Sequence, residues 1–136
     1  MLYEYKVHSV EKTIDGDTVD LIIDCGFGIL SKQRVRLDGI DTPESATRNV
    51  QEKVLGLETK QFVDRWLREQ KTLRVRTRKD ADDKYGRLLA TVWGDTQECL
   101  NEIMVRDGWA WAYSGGKKEK NFAVLAETRL KANSRK

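Results

Sequence analysis

Apolar and polar residues alternate over the first third of the chain. Tyr3, Tyr5 and Val7 fall on one side of an extended segment, with Glu4, Lys6 and His8 on the other, the period of a half-buried strand. Asp15-Gly16 reads as a turn, and the β-rich run from Thr18 to Ile23 as a second strand. Residues 33–40 form a third, with Val35 and Leu37 opposite Arg34 and Arg36. It ends at Asp41-Thr42-Pro43-Glu44, where the only proline in the chain pushes Thr42 into an extended conformation and makes the tetrapeptide a structured loop. Residues 45–56 show no period and are expected to cross the surface as a loop. The stripe Phe62, Val63, Trp66 and Leu67 then predicts a helix from about Leu57 to Glu69. Strands follow at 72–78 and at Leu88 to Trp93, joined by a polar hairpin connection from Lys79 to Arg87. A short helix from about Glu98 to Asp107 buries Leu100, Ile103 and Met104 and stops at Gly108. A last helix, from about Glu119 to Ala132, packs through Phe122, Leu125, Ala126 and Leu130.

Five strands with one helix between the third and fourth, then two more helices, is the order of an OB-type barrel: an α+β, mainly β fold. A doubly wound sheet is disfavoured because strands and helices do not alternate. There are no repeats or linkers, so residues 1–136 are expected to be a single domain. No apolar run approaches the roughly 18 residues of a membrane span. The start, MLYEYKVHSVEK, has no apolar leader, which favours the cytoplasm while leaving the compartment open.

Charge changes this picture little. Net charge is +3, from 25 basic and 22 acidic residues, too small an excess to establish nucleic-acid binding by itself. Cys25 and Cys99 have no metal-ligand spacing and read as two reduced, partly buried thiols. The lone His8 has no ligand partners nearby in sequence.

Candidate chemistry gathers in three places: Ile14-Asp15-Gly16-Asp17-Thr18-Val19, Val35-Arg36-Leu37-Asp38-Gly39-Ile40-Asp41-Thr42-Pro43-Glu44, and Asp83-Lys84-Tyr85-Gly86-Arg87. Each alone is ordinary. Asp-Gly pairs mark turns, strand arginines are usually solvated, and Val19 stands where an EF-hand loop needs an oxygen ligand. Together they supply hard oxygen donors for Ca²⁺, Mg²⁺ or Mn²⁺, guanidinium groups for phosphate, and a glutamate to activate water. No Cys–His pair or Gly-rich phosphate loop competes.

The stretches IDGDTVDL, VRLDGIDTPE and DKYGR, in this order, resemble the three signature segments of the staphylococcal nuclease (thermonuclease) family. LNEIMVRDGWAWAY is similar to the family's next helix and aromatic strand, and AETRLKANSRK to its C-terminal helix. The resemblance covers most of the chain. It implies a five-stranded OB barrel with three helices, and a Ca²⁺-dependent nuclease that hydrolyses DNA and RNA at the P–O5′ bond to leave 3′-phosphates. Carried over, Asp17 and Asp41 bind the metal through carboxylates and Thr42 through its backbone carbonyl, with Asp15 in the surrounding acidic shell. Arg36 and Arg87 hold the scissile phosphate, Glu44 acts on the attacking water, Lys84 and Tyr85 contact the terminal phosphate, and Tyr113 lies against the nucleotide. The partner is single-stranded or frayed DNA or RNA, with no membrane, and the chain is expected to be a monomer.

Two departures stand out. The family's second tyrosine is replaced by the run Ser114-Gly115-Gly116, which implies weaker stacking or a shift to Trp111. The sequence also ends before the Gly-Leu-Trp segment that the family often carries, from which the resemblance implies a shortened C-terminus as an expectation. The alternating Trp109, Trp111 and Tyr113 suit a core or interface row as well as a base-stacking platform. Arg74, Arg76, Arg78 and Lys79 read first as a solvated strand face offset by Asp80, Asp82 and Asp83, and second as a track for a nucleic-acid backbone. Lys117, Lys118 and Lys120 read as solvated loop charges. The rival to an enzyme is a non-catalytic OB-type nucleic-acid-binding module, disfavoured because Asp17, Arg36, Asp41, Glu44 and Arg87 are all present.

Overall fold

The computed structural model describes residues 3–80, 87–114 and 120–134. Its elements run β1 (Tyr3–Asp15), β2 (Thr18–Asp24), β3 (Leu30–Leu37), β4 (Ile40–Asp41), α1 (Val50–Glu69), β5 (Leu73–Lys79), β6 (Leu88–Trp93), α2 (Leu100–Arg106), β7 (Trp111–Ala112) and α3 (Phe122–Ser134). Five of the strands close a barrel in the order β1-β2-β3-β6-β5, antiparallel throughout except for the parallel β3–β6 pair. Among the described residues this is the OB-type α+β barrel with three helices.

Closure depends on β1. Residues 3–7 pair with β5 and residues 6–15 with β2, and the β1–β2 register shifts between Val7 and Ser9, Val10 and Lys12, and Thr13 and Asp15. Each irregularity bends and twists the strand, which lets one strand serve both edges of a curved sheet. The inward positions of the sheet, including Val7, Val19, Leu21, Val35, Leu37, Val75 and Val92, are buried. Phe62, Val63 and Leu67 of α1 and Leu100 and Met104 of α2 complete the same core. Among the described residues no helix is long and apolar enough to cross a membrane.

The structure moves several boundaries. Helix α1 begins at Val50, so residues 50–56, expected as loop, are helical. Asn49 caps it, its side chain accepting the Glu52 N–H at 3.0 Å. The period was obscured because Val50, Val54 and Leu57 are exposed while Glu52 and Thr59 are buried. The third strand ends at Leu37, and Asp38-Gly39 makes a turn in which Gly39 has φ +78°. Helix α3 starts at Phe122 and buries Leu125, Arg129 and Ala132, whereas Leu130 is exposed. Arg129 holds that face because its guanidinium donates to the Gly108 carbonyl and Thr59 hydroxyl, pairs with Glu58, and lies 4.2 Å from the Trp109 ring centroid. Both cysteines are free thiols, Cys99 buried as expected but Cys25 exposed at a turn.

Candidate active site

The β1–β2 turn and β3 meet edge to edge. Thr18 pairs with Arg36 across the sheet, and the Leu37 N–H donates to the Asp17 carbonyl at 2.8 Å, pinning the turn against β3. On the other side of the Asp38-Gly39 turn, β4 pairs with β7 so that Asp41 faces Trp111, and the Tyr113 N–H donates to the Gly39 carbonyl at 2.8 Å. Asn101 anchors that turn. Its amide donates to the carbonyls of Asp38 (2.8 Å) and Ala90 (3.0 Å) and accepts the Val92 N–H (3.1 Å). Four chain segments thereby bring Asp17, Arg36, Asp41 and Tyr113 together.

Arg36 lies between the two aspartates, Nε at 3.6 Å from Asp17 Oδ2 and Nη2 at 3.8 Å from Asp41 Oδ1. Both separations exceed hydrogen-bond length, so these are charge pairs through space. The guanidinium carbon is 5.8 Å from the Tyr113 ring centroid. Burial raises the Asp17 pKa; Arg36 opposes that, Asp15 adds to it, the Thr18 hydroxyl lowers it a little and Asp41 raises it a little. An all-oxygen donor set of this kind fits a hard divalent ion. Among the described residues no three His, Cys, Asp or Glu side chains form a ready-made cage. An ion held by Asp17 and Asp41 would complete its shell with other oxygens. Asp15 accepts the Gly16 N–H (2.9 Å) and the Ser45 hydroxyl (2.8 Å), and so shapes the turn beside the cluster.

Glu44 leaves the buried Asp41-Thr42-Pro43 run with its side chain 60% exposed. Its N–H donates to Glu52 Oε2 at 3.2 Å, and Lys120 Nζ lies 3.8 Å from its Oε1. Lys120 also donates to Glu52 Oε2 at 3.0 Å and is half-buried, which corrects its expected place among solvated loop charges. Burial disfavours the ammonium, but the hydrogen bond and charge of Glu52, with Asp41 and Glu44 behind them, outweigh it, so its pKa stands above the usual lysine value. Glu52 was not picked out in the sequence, and Lys120 only as a loop charge. The signal for Glu52 was Asn49-x-x-Glu52, a capping pattern that marks a helix start.

The loop is bedded on α1 through Gly56. A Cβ there would collide with the carbonyl groups of Glu44 and Pro43. Alanine favours a helix over glycine by about 0.5–1 kcal/mol, but main-chain carbonyls cannot swing aside as a side chain does. Gly56→Ala is accordingly expected to lose about 1–2 kcal/mol net and to displace Glu44. Urea unfolding and turnover measured together check this; a stabilised, fully active variant would refute the close packing.

The remaining candidates are placed as follows. Arg87 precedes β6, two residues before Leu89, the parallel partner of Arg36; the period of two puts positions 87 and 36 on the same face. Thr42 is buried, its side chain against Gly16. Arg36, Leu89 and Tyr113 line a cavity of about 220 Å³ with Arg78, Asp80 and Ser114. Lys84 and Tyr85 lie outside the described residues, as do Asp82, Asp83, Lys117 and Lys118. The aromatic row divides among three tasks: Trp109 stacks on Phe62 at 4.5 Å, Trp111 meets Phe122 edge-on at 5.7 Å, and Tyr113 sits by Arg36. Trp111 thus has a packing role against α3. The β5 arginines pair with residues far away in sequence, Arg74 and Arg76 with Glu4 and Arg78 with both oxygens of Asp38.

Residues 34–136 match the sequence model of the family described as "Staphylococcal nuclease homologue". This span and the barrel that carries the site place the chain in the staphylococcal nuclease family. The thermonuclease of Staphylococcus hyicus is 36% identical over 107 residues, which cover 79% of this chain and 59% of that protein. The thermonuclease of Staphylococcus intermedius is 38% identical over 104 residues, 76% of this chain and 57% of that protein. The micrococcal nuclease of Shigella flexneri is 34% identical over 113 residues, 76% of this chain and 55% of its own length. The chain spans little more than half the length of these relatives.

Proposed function

We propose that this chain is a nuclease, a phosphodiester hydrolase acting on single-stranded or frayed DNA and RNA with the help of a divalent ion, Ca²⁺ first and Mg²⁺ or Mn²⁺ as alternatives. The observation that carries it is Arg36 set between the carboxylates of Asp17 and Asp41, in a chain whose relatives include thermonucleases. Asp17, Asp41 and the Thr42 carbonyl would hold the ion, which when bound polarises a phosphoryl oxygen and lowers the pKa of water. Arg36 and Arg87 take the non-bridging oxygens of the scissile phosphate and stabilise the charge that gathers as a fifth oxygen approaches phosphorus. Glu44, exposed to solvent yet fixed at its main chain, accepts a proton from the attacking water. The P–O5′ bond breaks, the O5′ takes up a proton from solvent and leaves as a hydroxyl, and the 3′-phosphate stays with the upstream product. Tyr113, beside Arg36 in the cavity, lies against the nucleotide, and Lys84 and Tyr85 reach its terminal phosphate.

The test is to incubate purified protein with end-labelled single-stranded DNA in Ca²⁺, in Mg²⁺ and in EDTA, and to analyse product ends. Cleavage that needs the ion and leaves 3′-phosphates supports the proposal. Binding without cleavage in any condition returns the chain to the rival reading, a nucleic-acid-binding barrel. Arg87→Ala and Glu44→Ala are expected to fold normally and to lose at least about 10²–10³-fold in turnover. Near-parental turnover in either removes that residue from the mechanism.

A further inference from the structure

We propose that Glu52 and Lys120 are positioning residues that hold Glu44 in place for its attack on water, an inference resting on the role given to Glu44 above. A single oxygen, Glu52 Oε2, takes both the Glu44 main-chain N–H at 3.2 Å and Lys120 Nζ at 3.0 Å. The same ammonium stands 3.8 Å from Glu44 Oε1. Glu44 is thus held at its main chain by Glu52, while its carboxylate faces the Lys120 ammonium.

The grip has a firm base. Glu52 sits in the first turn of α1, its own N–H bonded to the Asn49 cap, and Gly56 one turn further on packs against the Glu44 and Pro43 carbonyls. Lys120 comes from the opposite side, two residues before α3. The side chains of Glu52 and Lys120 are 11% and 23% exposed, against 60% for Glu44. The pair is sheltered while the residue it holds faces solvent. A sheltered ion pair adds little stability beyond what apolar groups of the same size would supply, whereas it fixes orientation well. At 3.8 Å the Lys120–Glu44 contact is no hydrogen bond, so it orients the carboxylate while leaving its lone pairs for the water proton. Misplacement of a reacting group by an ångström costs up to about 10²-fold in rate.

The full chain carries Lys120→Met, Lys120→Arg or Glu52→Ala, each with and without Glu44→Gln. Steady-state kinetics on a single-stranded oligodeoxynucleotide with Ca²⁺ are set beside hydrogen exchange of the Glu44 amide. Lys120→Met and Glu52→Ala should lower kcat by about 10–100-fold with KM little changed, and speed exchange of that amide. Lys120→Arg should restore most of both. In the Glu44→Gln background neither substitution should slow turnover further, because both act through Glu44. Should Glu52→Ala fail to fold, Lys120→Met carries the test alone. Unchanged kcat in Lys120→Met, equal losses with and without Glu44→Gln, or an amide protected as in the parent each overturn the inference. Full activity in Glu44→Gln alone overturns the role of Glu44, and this inference with it.

Discussion

Arg36→Ala is expected to turn over substrate at least about 10²–10³-fold more slowly than the parent, and Arg36→Lys to recover little of that loss. The guanidinium has two tasks: it stands between the carboxylates of Asp17 and Asp41, and under the proposed mechanism it takes phosphate oxygens. A planar fork can face two partners at once, whereas an ammonium is a point charge on a flexible stem. Its removal leaves Asp17 among Asp15 and Asp41 with its main opposing charge gone, so the Asp17 pKa should climb further. Single-turnover kinetics at saturating oligonucleotide, with circular dichroism to confirm folding, check the result. Turnover within a few-fold of the parent in Arg36→Ala would show that the cluster does not carry the chemistry.

Asn101→Ala should produce the largest loss of stability. The amide is buried and serves the carbonyls of Asp38 and Ala90 and the N–H of Val92. Ala90's carbonyl keeps the Asp38 N–H as a second donor at 2.8 Å, so the groups most exposed to the loss are the Asp38 carbonyl and the Val92 N–H. A buried polar group left without its partner costs about 1–3 kcal/mol, giving a total of about 3–5 kcal/mol. In a domain of this size that lowers Tm by about 10–20 °C. Turnover should fall as well, because Asn101 pins the turn that separates Arg36 from Asp41. Urea and thermal unfolding measure it; a loss under about 1 kcal/mol would mean that water replaces the amide without cost.

The barrel was readable because its strands obey one local rule. Residues 18–23 and 88–93 follow the expected strands closely, since the inward face of a curved sheet must be apolar every second residue, while the third strand runs Leu30–Leu37 in place of the expected 33–40. The start of α1 was not, and there hydropathy and burial run in opposite directions. Exposed Val50, Val54 and Leu57 blurred the apolar stripe, while Glu52 is buried against Lys120, 68 positions away. The same holds for α3, where Leu130 is exposed and Arg129 buried among carbonyl and carboxylate acceptors. A charged residue goes inside only where distant groups satisfy it, and no local pattern reports those groups.

The candidate site divides along the same line. Residue types in three short motifs pointed to phosphate chemistry, which calls for carboxylates and guanidiniums whatever scaffold holds them, and the resemblance to the staphylococcal nuclease segments made Asp17, Arg36, Asp41, Glu44 and Arg87 the candidates. Which of them meet was decided by strand register, by the Gly39 turn and by the β4–β7 pair, and this set Arg36 between two aspartates with Tyr113 beside it. Glu52 and Lys120 belong wholly to the tertiary structure. Their partners lie on separate elements, and only folding brings their charges close enough and dry enough to matter.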